Sequence, residues 1–116
     1  MPDFLLPNGF LDGEPPEWYA VIRPTEFRPA RYDGVPRKAA DGAEPRILIV
    51  EAGTVGDVFV SEYAGDFGYI TDRWYSTREA AVEDIEARFG AELGPWLPVP
   101  DEESPPEGYV LRALSS

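Results

Sequence analysis

Between Asp57 and Tyr75, carboxylates interleave with aromatic rings: Asp57, Glu62, Tyr63, Asp66, Phe67, Tyr69, Asp72, Trp74 and Tyr75. A carboxylate beside a Trp or Tyr ring can hold a guanidinium or ammonium group by ion pairing and cation–π attraction, and such rings are favoured anchors at protein interfaces. The same rings can also fill a core, and for Trp74, next to a helix entry, the core reading is preferred. Tyr75 is read as a hydrophobic staple to Ala80. Glu83 and Glu86, on the outer side of the helix that follows, extend the acidic surface. The residues assigned to partner binding are therefore Asp57, Glu62, Asp66, Tyr69, Asp72, Glu83 and Glu86.

The rest of the inventory narrows the chemistry. With no histidine and no cysteine, the commonest general base, thiol nucleophiles and histidine- or thiolate-ligated metals are all absent. A Ser–Lys dyad would have to use Lys38, which sits in a Gly/Pro-flanked loop and reads as a solvated lysine. Neither a G-x-G-x-x-G nor a G-x-x-x-x-G-K-[ST] motif occurs, and Gly53-Thr54-Val55-Gly56 reads as a hairpin turn. The abundant carboxylates leave open a glycosidase-like acid/base pair or an oxygen-ligated divalent cation. The Asp-Gly steps at Asp12 and Asp41, however, lack the spacing of a calcium-binding hand. No catalytic, cofactor-binding or metal-ligating residue is assigned, no cofactor is expected, and the chain is read as non-enzymatic.

The net charge of −12 is uneven: residues 51–116 hold fourteen acids against four bases, residues 1–50 eight acids against six bases. Such a field repels nucleic-acid phosphate and anionic lipid, and it speeds encounter with a basic protein. It serves solubility equally well. No apolar run approaches the roughly 20 residues of a membrane-spanning helix. The first residues lack a basic segment, and Pro7 interrupts their apolar stretch, so export is not expected and a cytoplasmic location is.

Thirteen prolines and eleven glycines among 116 residues imply short elements and much irregular chain. Residues 1–17 read as an extended arm and 18–116 as one domain. Strands are expected over 18–23, weakly over 26–32, over 46–51 as the buried sheet centre, over 57–63 and around 69–71. Helix 77–89 is the best-specified element. Ser76 and Glu79 form a capping box, Ala81, Val82, Ile85 and Phe89 make one apolar face, and Gly90 stands at the left-handed C-terminal position. Residues 109–114 are read as a last strand. The expected fold is α+β, a mostly antiparallel β-meander of about four to five strands packed against one helix.

The segment Thr71-Asp72-Arg73-Trp74-Tyr75-Ser76-Thr77-Arg78-Glu79-Ala80-Ala81, continuing through Ile85-Glu86-Ala87-Arg88-Phe89-Gly90 to Trp96, resembles small acidic bacterial immunity-type proteins. In these a strand, an Asp-x-Trp, a capped helix ending in Phe-Gly and a downstream Trp follow one another. The element order also looks like HicB-type antitoxins, without their appended DNA-binding module. The resemblance implies a basic protein partner such as a toxin, with no direct binding of nucleic acid or membrane. A DNA-mimicking regulator and a small carboxylate-dependent enzyme are the alternative expectations.

Overall fold

A computed structural model of the chain describes residues 17–29, 34–35, 37–53, 55–100 and 106–115. Aromatic and β-branched runs form β1 (Glu17–Val21), β2 (Ile47–Ala52), β3 (Val58–Tyr63), β4 (Tyr69–Tyr75) and the short β5 (Leu97–Pro98). They make one antiparallel sheet in the order β4-β3-β2-β1-β5. Hairpins join β2, β3 and β4, as the turn residues around Gly53 and Gly65 predict. Gly53 donates its amide to the Asp57 carbonyl, 2.8 Å, and Phe67 donates to the Ala64 carbonyl, 2.9 Å.

The continuous apolar run of β2 is the sheet centre, with Ile47, Leu48, Ile49 and Val50 all buried. Its residues divide between two cores. Leu48 and Val50 pack with Trp18, Ala20, Val58 and Val60 beneath α1 (Arg78–Phe89), whose Ala81 and Ile85 are buried and whose Val82 and Phe89 close the sides. Ile47 and Ile49 face the other way, toward Tyr19, Tyr63, Phe67, Val99 and a second helix, α2 (Pro106–Ser115), through Val110 and Leu111. Each fully buried side chain of this size contributes about 1.5–3 kcal/mol.

Helix α2 corrects the strand expected over 109–114. An apolar run of this length fits either periodicity, and Pro106 opens the helix, where a missing N–H does no harm. The architecture is α+β with a helix on each face of the sheet, where one helix was expected.

Three local expectations are also revised. The N-cap of α1 is Thr77, whose hydroxyl accepts from the Ala80 amide at 3.0 Å. The cap therefore lies one residue past Ser76, and the box with Glu79 does not form. Gly90 has the expected positive φ of 50°, but the chain then enters a 3-10 turn, Gly90–Glu92. The weak strand over 26–32 is absent from its described part: Pro24–Glu26 is a 3-10 turn and residues 27–29 are irregular. There Arg46 takes the Ile22 and Arg23 carbonyls and stacks over Phe27, 5.6 Å from the ring centroid. The remainder of that strand, and the arm up to residue 16, lie outside the described residues; Glu17 already belongs to β1.

Candidate interaction surface

Alternation along β3 and β4 sorts their side chains onto two faces. On the α1 side, Val58, Val60 and Glu62 stand across from Tyr75, Arg73 and Thr71. On the other side, Phe59 and Ser61 stand across from Trp74 and Asp72, and a register shift between Glu62 and Tyr63 then sets Tyr63 across from Tyr69. Followed across the sheet, that second face carries the rows Glu17-Glu51-Phe59-Trp74, Tyr19-Ile49-Ser61-Asp72 and Val21-Ile47-Tyr63-Tyr69. The core beneath α2 draws on Tyr19, Ile49, Ile47 and Tyr63 of these rows, and Ser61 is buried as well. Phe59 on β3 and the β4 members reach solvent: Trp74 is 58% exposed, Phe59 41% and Tyr69 39%.

Trp74 is thus a surface residue and not core, which corrects the reading preferred from sequence. Its indole N–H donates to Asp57 Oδ2 at 2.9 Å, across the mouth of the β2–β3 hairpin. The other oxygen, Oδ1, is buried with no hydrogen-bond partner among the described residues. The carboxylate sits against Gly53, where a Cβ would lie 1.9 Å from Oδ1, so only glycine leaves it this seat. Farther along β4, Tyr69 meets Tyr63 edge to face, with centroids 5.8 Å apart. The Tyr69 hydroxyl is pushed up in pKa, first by desolvation and then by the Asp72 carboxylate. Asp57, Tyr69 and Asp72, three of the residues assigned from sequence, therefore share one face with Phe59 and Trp74.

The other assigned residues do not join them. Glu62 is 1% exposed on the α1 side, where it accepts from Arg73 Nε at 2.8 Å and from Arg88 Nη1 and Nη2 at 2.7 and 3.2 Å. This pairing raises the Arg88 pKa and occupies both carboxylate oxygens. Asp66 is exposed in the β3–β4 turn, and its Oδ1 accepts the Gly68 amide at 3.0 Å. Glu83 and Glu86 ride on α1, against the opposite face of the sheet. Their helix neighbour Asp84 turns inward, accepting from the Tyr75 hydroxyl and lying 3.7 Å from Arg88. Tyr75, expected as a staple to Ala80, therefore serves as a polar tie to α1 and packs against the core beneath it.

Phe59 was missed as a surface residue, although strict alternation through Val58, Phe59, Val60 could have placed it opposite the valines. The row it shares continues to Glu51, a half-buried carboxyl raised in pKa by desolvation and then by Glu107 and Glu17. At the Tyr69 end, Arg37, Lys38, Tyr69 and Ile70 line a shallow depression of about 450 Å³.

These parts can do three things: present acceptors to a cation, offer ring faces to it, and shed water over Phe59 and Trp74. Among the described residues no group of three or more His, Cys, Asp or Glu could hold a metal ion, and no helix is long and apolar enough to cross a membrane. Comparisons with known protein families, curated proteins and solved structures found no match to this chain.

Proposed function

We propose that the chain is a non-enzymatic binding protein whose open sheet face takes a basic segment of another protein, in the manner of an immunity protein that covers a toxin. The observation that carries the reading is Trp74, more than half exposed and anchored to Asp57 beside Phe59, Asp72 and Tyr69. A large ring held in solvent by a carboxylate is a preorganised seat for a guanidinium, where cation–π attraction and ion pairing act together. The excess of acids after Val50 adds steering toward a basic surface.

The test is binding of an arginine-rich peptide to the full chain, followed by Trp fluorescence at several salt concentrations. The double variant Asp57→Lys with Asp72→Lys should lose about tenfold or more in affinity. Glu79→Lys with Glu83→Lys, which changes net charge equally on the α1 side, should lose only a few-fold from weakened steering, on the order of the usual rim-charge effect. Equal losses in the two would reduce the attraction to net charge alone and remove the site. The immunity-type assignment is tested in the genome: a neighbouring gene for a large secreted toxin, neutralised when the two are co-expressed, is the expected result. An unrelated neighbourhood leaves a basic-partner binding module.

A further inference from the structure

The two edges of the sheet are built differently. The β5 edge is two residues long, Leu97–Pro98, between Pro95 and Pro100. Proline cannot donate to a ladder, so this edge resists further pairing. The β4 edge is seven residues long and contains neither proline nor lysine. Among the described residues only the segment 37–39 lies along it, and only at its start: Tyr69 donates to the Arg37 carbonyl, 2.9 Å, and accepts from the Ala39 amide, 2.8 Å, in a parallel bridge centred on Lys38. Gly68 makes room for that chain, since a Cβ there would stand 2.7 Å from the Ala39 Cα. An extended segment is thus already accommodated at this edge, and residues 71–75 continue it.

We propose that the basic segment of the partner adds to residues 71–75 of β4 as a further strand. This rests on the functional reading above and deepens it by naming the mode of recognition. Main-chain hydrogen bonds to the β4 edge give affinity, and alternate side chains give specificity. On the open face the guest's side chains fall beside Asp72 and Trp74, with Asp57 behind, and favour arginine or lysine. On the α1 face the intervening side chains meet Thr71, Arg73 and Tyr75, with Arg73 already engaged by Glu62. That face disfavours a cation, so the guest carries a base at every second position and uncharged residues between. A second copy of the chain, with its own charge of −12, is the wrong sign for this edge.

The experiment uses the full chain and three labelled peptides of alternating arginine and threonine: one unmodified, one N-methylated at every arginine amide, one at every threonine amide. In an added strand successive amides point alternately toward and away from β4. One methylated form should therefore bind about as well as the parent, and the other, which loses every hydrogen bond to the β4 edge made by its methylated amides, should lose about tenfold or more. A peptide of the same composition with its arginines in one block should bind several-fold more weakly. Equal behaviour of the two methylated forms, or no binding of the parent peptide, overturns strand addition and leaves the acidic face to stand or fall by its own charge-reversal test. Phase-selective loss that persists unchanged in the Asp57→Lys, Asp72→Lys variant supports strand addition and removes the face. A self-associated chain whose association the unmodified peptide cannot compete away would make a second copy the occupant and overturn the proposal.

Discussion

Glu62 and Asp72 sit on adjacent strands, one step out of register, and meet opposite surroundings because the pleat sends them to opposite faces of the sheet. Glu62 lies under α1, almost wholly buried, with Arg73 and Arg88 filling its oxygens. Asp72 lies on the open face among Trp74 and Tyr69. On the first face a carboxylate ties β3 to β4 and to the last turn of α1. On the second, carboxylates are presented to whatever approaches. The difference teaches that acidity along this chain has no single purpose, and that alternation decides which acids are structural.

The sharpest way to break that comparison is to neutralise each acid in turn. Glu62→Gln removes the charge that compensates Arg88 and Arg73 and should cost about 3 kcal/mol in urea denaturation, the low end for a broken buried pair because Arg73 stays partly solvated. Asp72→Asn should stay within about 0.5 kcal/mol, as for most surface substitutions. Comparable losses from the two would abolish the distinction between the faces.

The helical covers sharpen it next. Ile85→Ala beneath α1 and Leu111→Ala beneath α2 each remove a buried branched side chain and should each cost about 2–4 kcal/mol. A negligible loss at Leu111 would mean that α2 does not cover the β1–β2 half of the face on which Trp74 lies.

Much of this was legible in sequence, and the lapses have physical causes. The runs around Ile47, Val58 and Tyr69 announce strands because β-branched and aromatic residues suit a pleated, buried surface, and Ala81, Val82, Ile85 and Phe89 announce α1 by their spacing. Val110, Leu111 and Leu114 were read as a strand because so short an apolar run carries no decisive period. Glu62 looked like a surface acid because sequence does not display Arg88, twenty-six positions away, closing over it. Of the seven residues named from sequence, Asp57, Tyr69 and Asp72 fall on one face because one hairpin and its return strand carry them, whereas Glu62, Asp66, Glu83 and Glu86 are sent elsewhere. Trp74 was misplaced because a ring next to the entry of α1 suggests packing beneath the helix, whereas its position across from Phe59 puts it on the face that α2 leaves open.

The entry to α1 tests its hold on the covered face at finer scale. Thr77→Ala removes the acceptor for the Ala80 amide and should cost about 1 kcal/mol, while Ser76→Ala should be nearly neutral. The reverse ranking would restore the box between Ser76 and Glu79 and shift the helix start by one residue.

The smallest effect lies on the α2 side of the sheet, at Glu51, in the row that ends at Phe59 and Trp74. Its folded pKa is raised, by burial first and by Glu107 and Glu17 after it, so between its ordinary value and the raised one the native state binds more protons than the unfolded chain. Stability from this group therefore falls as pH rises through that window and stays lower above it. This is opposite in sign to the usual paired carboxylate, whose contribution is lost as pH falls. Glu51→Gln removes the titration and should stabilise the protein at pH 7 by less than about 1 kcal/mol, because the site is only half-buried and solvent screens it. Thermal denaturation of variant and parent across pH 3–8 isolates the effect, since all other carboxylates are common to both. The difference in Tm should grow with pH through the Glu51 window and then level. A difference that shrinks as pH rises would make Glu51 a stabilising charge and give the α2 side of the sheet the same kind of internal pairing that Glu62 has beneath α1.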